Sequence, residues 1–428
     1  MGILETCKSM IVEYALCDSC FGRQFASLDR GFGNKEKGRA LKMLLNIHAQ
    51  TMIQSDRKGA LKLAKALAES GYEPSLVTLK KLRKKLEIVS KPCYICSGSM
   101  SRLSEFAATA ASSLSGIECS TIAVGCRVPL EVEEKEDELK SRFKLKHGEN
   151  IRYEVTREIG AQIEKLMGKK INKIQPDVTL IVSIPGGETE VNINPIFFKG
   201  KYRKLIGGIP QTRAPWHDGS GGSIEEIIGK PLLEQTKGES MKFHGAGRED
   251  ADVRMTGRGR PFVIEIIRPK IRTVDLAGIQ EKINREYDGR LQVLDLSKAD
   301  KKDVSKVKIF GEKARKTYRA LIKLDREMSE ADLLQLESKL ENITIYQRTP
   351  TRVLKRRGDK VRQKRLYKTD LKMVSPDTIE ATFQCEGGLY IKELINGDAG
   401  RTRPSFSELA EREAQCIELE VTDIEECI

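Results

Sequence analysis

The sequence predicts a mixed α+β protein with more than one domain. The chain has 428 residues, which is more than one hydrophobic core ordinarily organises. In the N-terminal part, apolar residues recur at three- and four-residue spacing, as they do in amphipathic helices. Farther along the chain, short apolar runs bounded by turn residues alternate with helical patterns. This order favours an initial helical region followed by sheets with flanking helices.

The charge of the chain favours a polyanionic partner. Its formal net charge is +13, and a basic surface of that size points to nucleic acid more than to a membrane. A lysine-rich surface that serves only solubility would have the same composition. No apolar stretch approaches the roughly 20 residues of a membrane span, and the N-terminus lacks the basic region of a signal peptide. We therefore expect a cytoplasmic protein with no membrane partner.

Ten cysteines in an intracellular protein need an explanation other than disulfides. Cys17 and Cys20 form one C-x-x-C pair, and Cys93 and Cys96 form a second. Four thiolates from two such pairs suit the tetrahedral coordination of a structural zinc ion. The pairs are too far apart for a compact zinc ribbon, so the metal would join two distant segments. Buried free thiols or a redox pair are the alternatives.

Helical patterns fill the space between the two cysteine pairs. Residues 40–50 and 60–70 each carry an apolar stripe, and Gly71 is placed to end the second helix. The basic run 80–90 continues as a helix tail, which is ordinarily a solvated face.

A different pattern follows the second pair. Residues 120–130 predict a strand, residues 131–143 a charged connector or helix, and residues 157–171 an amphipathic helix. Two further strands, residues 177–184 and 190–198, are separated by a Pro-Gly-Gly-Glu turn. This order resembles the THUMP domain, an RNA-binding module of RNA-modifying enzymes, over residues 100–205 approximately.

A loop rich in Gly, Pro and basic residues separates the two halves of the chain. We interpret residues 207–223, which include the single tryptophan, Trp216, as an interdomain loop. Ser223 and Glu226 then form a capping box that predicts the start of a helix.

The most informative stretch is a set of alternating charges, Arg248, Asp250, Asp252 and Arg254, between glycines. An extended segment would project all four side chains in one direction. A surface salt-bridge ladder would show the same pattern. A magnesium-dependent nuclease or nucleotidyltransferase, with Asp250, Asp252 and Glu265 around the metal, is a further alternative.

The string GREDADVR…GRGRPF, residues 247–262, resembles the catalytic-aspartate motif of pseudouridine synthases. The string also resembles the archaeal and eukaryotic T-arm synthase family often called Pus-ten, and Asp250 matches the position of the catalytic aspartate. The resemblance implies a zinc-bound helical part and a THUMP-like α/β domain, then a synthase domain on a mixed, mainly antiparallel β-sheet with flanking helices. We expect an accessory RNA-binding domain over residues 1–215 and a catalytic domain over residues 216–428.

Three further blocks match the same family. KTYRALIKL resembles its second motif and implies that Tyr318 lies against the target base, where an aromatic ring stacks on a flipped uracil. GLYIKEL resembles the third motif, so Lys392 would pair with the catalytic aspartate and keep it ionised. GRTRPS places Arg401 in a loop beside the site, and Arg248 would hold the flipped nucleotide or a phosphate. Without the family, each of these residues could be purely structural.

The run 348–365 holds nine basic residues and one acidic residue. Apolar residues interrupt it, which favours a strand–turn–strand hairpin, at about residues 345–368, over a disordered tail. Such a hairpin would contact RNA phosphates, with Arg356 and Arg357 at its turn. A solvated charged face is the alternative.

The resemblance implies an isomerase that converts T-loop uridines of tRNA, at the TΨC position, its 5′ neighbour, or both. The reaction needs no redox change or energy input, so we expect no organic cofactor, and the sequence shows no nucleotide-binding fingerprint. Asp250 would attack the sugar or remove its C2′ proton. No obligatory protein partner is evident, and a tRNA-binding protein without catalysis is the remaining alternative.

Overall fold

The computed structural model describes residues 2–82, 88–213 and 222–425. The basic stretch 83–87, Trp216 with its neighbours, and Cys427 lie outside the described residues, as does the side chain of Arg356. The chain forms two compact units, Met1–Asn194 and Pro195–Ile428. None of the described helices combines the length and apolar character needed to cross a membrane.

The first unit begins with helices and ends with a small sheet. Its helices are α1 (Ile3–Glu13), α2 (Asp18–Arg23), α3 (Asn34–Thr51), α4 (Arg57–Glu69), α5 (Ser75–Lys81), α6 (Leu103–Ser112), α7 (Leu130–Arg142) and α8 (Ile151–Met167). Its strands are β1 (Thr121–Arg127), β2 (Lys170–Ile171), β3 (Val178–Ser183) and β4 (Thr189–Ile193), in the order β2-β1-β3-β4. β1 runs parallel to β2 and β3, whereas β4 is antiparallel to β3. The helices predicted from the apolar stripes are confirmed.

The second unit is built on one large sheet. Its elements are β5 (Ile196–Lys204), α9 (Ile224–Thr236), β6 (Ser240–Gly245), β7 (Arg254–Ile267), α10 (Leu276–Glu286), β8 (Leu291–Ala299), α11 (Lys301–Lys313), β9 (Arg315–Leu324), α12 (Glu330–Lys339), β10 (Ile343–Arg348), β11 (Val361–Ser375), β12 (Thr378–Glu386), α13 (Ile391–Asn396), β13 (Thr402–Arg403), α14 (Phe406–Ala410) and β14 (Ala414–Glu425). The strand order is β13-β10-β11-β12-β9-β14-β7-β5-β8, and β6 also pairs with β7. β14 and β7 are parallel, and the other pairings in the described sheet are antiparallel. A mixed, mainly antiparallel sheet is therefore confirmed.

The division of the chain differs from the predicted boundary at residues 215 and 216. β5 pairs with β7 and β8, so it belongs to the large sheet of the second unit. The run 190–198, predicted as one strand, is divided between β4 and β5. A strand can be predicted at the right place in the sequence and still be assigned to the wrong domain, because local patterns do not show which strands it pairs with.

The basic run 348–365 also differs from its predicted structure. The basic run contains a 3-10 helix, Thr351–Arg356, between β10 and β11, so Val353 and Leu354 are not in a strand. β10 and β11 do pair antiparallel around it, from Ile343↔Leu366 to Arg348↔Val361. Near the C-terminal end of the chain, β14 lies between β9 and β7.

Two glycines allow α2 and α3 to approach closely in the first unit. A Cβ atom on Gly22 would collide with the carbonyl oxygen of Asn34, and one on Gly38 with the carbonyl oxygen of Asp18. This crossing fixes the position of α2, which carries one of the predicted metal ligands, Cys20.

We predict that Gly38→Ala destabilises the first unit, because two backbones must separate to admit a methyl group. The expected loss is about 1–3 kcal/mol, measured by chemical denaturation. The matched control is Gly160→Ala in α8, where an added Cβ has ordinary contacts at 3.7 and 3.9 Å. The control should be neutral or stabilising, since alanine favours helix over glycine. Equal stability of the two variants would contradict the close crossing.

Candidate active site and metal centre

The predicted catalytic residue lies in a loop between β6 and β7, residues 246–253, which we call the aspartate loop. The loop is not extended, so the condition under which the four alternating charges would project together is not met. Its backbone turns at Asp250, whose carbonyl oxygen accepts from the amide of Val253 at 3.1 Å. Arg248 donates to the hydroxyl of Thr212 at 3.2 Å, whereas Arg254 lies 3.2 Å from Glu418. The two arginines therefore have separate partners.

The two aspartates of the loop are paired with different cations. A guanidinium nitrogen of Arg352 lies 2.9 Å from both carboxylate oxygens of Asp250. The ammonium of Lys392 lies 2.6 Å from Asp252 and 3.7 Å from Asp250. Lys392 thus reaches the predicted catalytic aspartate, as the third motif implied, but its shorter contact is with Asp252. Although partial burial raises the pKa of Asp252, its hydrogen bond to Lys392 leaves that pKa below its ordinary value.

Arg352 contacts the predicted catalytic aspartate, although the sequence did not single it out. It lies in the 3-10 helix of the basic run, where we expected contacts with RNA phosphates instead. Glu393, which is buried, accepts from its Nε at 2.6 Å and fixes the guanidinium against Asp250. Burial lowers the pKa of Arg352, but Glu393 and Asp250 together raise it above its ordinary value. The only sequence signal was an arginine within a cluster of nine basic residues, which does not distinguish it from its neighbours.

Tyr318 lies on β9 where two hydrophobic clusters of the second unit meet. It packs against a cluster that includes Phe383 and against another that includes Phe262 and Val421. Its side chain is half-buried. Burial raises the pKa of its phenol above the ordinary value, so the ring stays uncharged at neutral pH. The residue offers an aromatic surface set into the sheet between two packed halves.

The remaining predicted site residues have internal partners. Arg357 donates to the phenol oxygen of Tyr390 at 2.9 Å. Arg401 donates to the carbonyl oxygen of Thr349 at 2.7 Å and contacts Asp359 at 2.6 Å. These bonds connect residues on both sides of α13 to the connection between β10 and β11.

The first residues of the aspartate loop take part in a buried ion pair and its hydrogen bonds. Glu249 and Arg260 lie 2.8 Å apart, and both side chains are almost completely excluded from solvent. The phenol of Tyr202 donates to both oxygens of Glu249, at 2.7 and 2.9 Å, and Gln211 donates to that phenol. Arg260 also donates to the carbonyl oxygen of Ala246 at 2.6 Å. The pair therefore ties the first residues of the loop to β5 and β7.

The four predicted metal ligands come together in the first unit. The sulfur atoms of Cys17, Cys20, Cys93 and Cys96 all lie within 4.8 Å of one another. The sulfurs of Cys17 and Cys96 are 3.7 Å apart, close to the ~3.8 Å that tetrahedral thiolates at ~2.3 Å from a metal require. Burial raises the pKa of the Cys20 thiol. Hydrogen bonds with the other three cysteines of the cluster lower the pKa of the Cys93 thiol. Together the thiols can hold a metal ion, whose charge would let all four ionise.

Arg23 joins this cysteine cluster to the helices that follow it. Its fully buried guanidinium donates to Glu136 at 2.6 Å, to Glu154 at 2.7 Å and to the sulfur of Cys20 at 3.3 Å. Glu136 lies on α7 and Glu154 on α8. A single buried cation therefore connects a predicted metal ligand with two helices of the THUMP-like region.

A magnesium site at the aspartate loop finds no geometric support. Glu265 lies 3.2 Å from His244 on the neighbouring strand. Within the described parts of the chain, the cysteine cluster is the only group of three or more potential ligands close enough to hold one ion.

We predict that Glu249→Gln destabilises the second unit by about 3–5 kcal/mol, because it leaves the buried charge of Arg260 without a counter-ion. Chemical denaturation measures the loss. The matched control is Asp423→Asn, which removes an ion pair with Arg258 at 2.8 Å on the exposed side of the sheet. That variant should shift the denaturation midpoint far less, since surface ion pairs contribute little to the free energy of unfolding. A small effect of Glu249→Gln would contradict a structural role for the buried pair.

Comparisons with known proteins cover almost the whole chain. A family model described as "Pus10, C-terminal" matches residues 197–425, and one described as "Pus10 THUMP domain, archaeal" matches residues 106–183. The chain is 42% identical over 416 residues to a "tRNA pseudouridine synthase Pus10" of Thermofilum pendens, covering 96% of this chain and 93% of the relative. Relatives with the same name in Methanothrix thermoacetophila and Methanopyrus kandleri are 40% and 38% identical. The former match covers 96% of this chain and 91% of the relative, and the latter 98% of each.

Proposed function

The chain belongs to the Pus10 family, and on that premise we propose that it isomerises uridine to pseudouridine in the T-arm of tRNA. The observation that carries the proposal is the pairing of Asp250, in the aspartate loop, with Arg352 and Lys392. The target is the uridine of the TΨC position, its 5′ neighbour, or both. Because its substrate is tRNA, we place the protein in the cytoplasm.

The reaction breaks the N1–C1′ bond, rotates the uracil and joins C5 to C1′. The proton on C5 leaves to solvent and N1 gains one, so electrons and atoms balance without an organic cofactor. Asp250 either attacks C1′ or removes the C2′ proton, and both routes need an ionised carboxylate. Arg352 and Lys392 contact this carboxylate at 2.9 and 3.7 Å and so hold it in place.

The target uridine must leave its stack before these atoms become accessible. In our proposal its base stacks on Tyr318, whose half-buried ring lies between the two clusters of the sheet. Arg248, whose guanidinium donates to the hydroxyl of Thr212 at 3.2 Å, contacts the flipped nucleotide or a phosphate in this proposal. A neutral phenol suits stacking better than a phenolate, which would repel the phosphates.

The basic hairpin binds the RNA backbone in this proposal. Arg356 and Arg357 stand at the end of the 3-10 helix that also carries Arg352. Phosphates bound there would contact the same 3-10 helix whose Arg352 contacts Asp250. RNA binding and alignment of the carboxylate would therefore depend on one element. Arg401 supports this element through Thr349 and Asp359. The THUMP-like region would contact the tRNA elsewhere, by shape more than by sequence.

Zinc is the metal that the cysteine cluster is proposed to hold. Four thiolates at tetrahedral spacing are typical of structural zinc sites. The ion would supply no chemistry to the reaction. It would hold residues 17–20 and 93–96 together and fix α2, through which Arg23 reaches the THUMP-like region.

We predict that Asp250→Asn abolishes pseudouridine formation and leaves tRNA binding nearly unchanged, because an amide is similar in shape but a poor nucleophile and base. Release of tritium from tRNA labelled at C5 of uridine measures the reaction. Filter binding measures affinity. Asp252→Asn is the control, one step removed from the chemistry, and should retain most of the rate. Robust turnover by Asp250→Asn would refute the assignment of the catalytic residue.

We predict one zinc ion per chain in freshly purified, reduced protein, measured by elemental analysis. Cys93→Ser should lose the metal and unfold the first unit at lower denaturant concentration, since metal binding contributes folding free energy. Cys126→Ser is the matched control, because that cysteine is buried on β1 outside the cluster. Metal-free wild-type protein, or equal zinc loss in both variants, would argue against the site.

A further inference from the structure

A buried lysine lies directly beneath the backbone of the predicted catalytic residue. Lys204 ends β5 and is completely excluded from solvent. Its ammonium donates to the carbonyl oxygens of Asp250 at 2.9 Å, Ala251 at 3.0 Å and Ile209 at 3.0 Å. Within the described residues it forms no ion pair with a carboxylate. All three N–H donors of the ammonium are thus used on backbone, two of them in the aspartate loop.

The segment that follows Lys204 contacts the same loop at further points. The amide of Gly208 donates to the carbonyl oxygen of Ala251 at 2.8 Å. Gly207 packs so closely that a Cβ there would lie 2.9 Å from the carbonyl oxygen of Asp252. Gln211 donates to the carbonyl oxygen of Gly247 at 3.0 Å. Residues 204–211, predicted in part as an interdomain loop, instead support the aspartate loop along its length.

A buried ammonium without a carboxylate partner is costly, so a solvated or apolar residue would be expected if only stability mattered. Burial, the largest effect, lowers the pKa of Lys204 to about 8, and repulsion from Arg260 lowers it further. The negative charges of Glu249, Asp252 and Asp250 act in the opposite direction and raise it. The ammonium form therefore still predominates at neutral pH. The ammonium of Lys204 contacts the backbone carbonyl of Asp250, whereas Arg352 and Lys392 contact the carboxylate itself.

We propose that Lys204 is a positioning residue for pseudouridine formation: it holds the turn at Asp250 so that the carboxylate stays aligned while a nucleotide enters. The proposal rests on the proposed function. The side chain does not contact the substrate, and it acts through two backbone carbonyls. Three hydrogen bonds from one fixed cation restrict both the position and the rotation of this turn. A displacement of about 1 Å at a reacting group lowers rates by as much as a hundredfold.

The test is Lys204→Met in the whole 428-residue chain, which keeps an unbranched side chain one atom shorter and removes its donors. We expect the single-turnover rate of tritium release from C5-labelled tRNA to fall by about tenfold to a hundredfold. The dissociation constant for tRNA should stay within about twofold, because the loss concerns alignment and not docking. Wild-type protein that releases no tritium would refute the proposed function itself, and an active wild type with an equally fast Lys204→Met variant would refute the role of Lys204 alone.

Lys201→Met is the matched control on the same strand. Its side chain is exposed and pairs with Asp295 at 3.3 Å, away from the aspartate loop. This variant should keep the wild-type rate and affinity. An equal fall in rate for both variants would show a general effect of altering β5 and would overturn the proposal.

A second variant decides the question if Lys204→Met does not fold. Gly207→Ala leaves the ammonium in place and presses the 204–211 segment against the carbonyl of Asp252 by a few tenths of an ångström. We expect a several-fold lower single-turnover rate with unchanged tRNA affinity. A folded Gly207→Ala protein with the wild-type rate would overturn the proposal, because the position of the turn would then have no effect on the chemistry.

Discussion

The second unit depends on one electrostatic constraint: cations must reach both the carboxylate and the backbone of Asp250 in a partly enclosed loop. Arg352, Lys392 and Lys204 satisfy it from three elements that are far apart in the chain. Two of these cations contact carboxylates and the third contacts the backbone behind them. The buried Glu249–Arg260 pair then fixes the start of the loop. Strands β5 and β7, the 3-10 helix and α13 must all be in place before Asp250 has its complete surroundings.

The sequence predicted what local patterns encode. The helices α3 and α4 follow from their apolar stripes, and the capping box at Ser223 begins α9 as expected. The cysteine cluster also follows, because ligand spacing constrains chemistry even over a long separation. Residues with a motif of their own, such as Asp250 and Lys392, were found in the neighbourhood that the motifs implied.

The sequence could not predict the residues that act through distant contacts. Arg352 was one basic residue among nine, and only the fold brings it to Asp250 and Glu393. Lys204 stood in a stretch assigned to the first domain, since nothing in GKYRKL shows that β5 pairs with β7. The alternation of charges at 248–254 suggested an extended segment, but a turn stabilised from outside by β5 replaced it. In each case the missing information was a pairing partner more than 40 residues away.

The place of β14 in the sheet has a consequence for the synthesis of the protein. This strand is the last one of the sheet in chain order, yet it lies between β9 and β7. On the ribosome, the strands on either side of it emerge first and cannot join until residues 414–425 have left the exit tunnel. Until then, each half exposes an unpaired edge, and such edges favour association with other chains. Nascent copies of this protein should therefore depend on chaperones until β14 has emerged, by which time Asp250, Arg352 and Lys392 are already outside the tunnel.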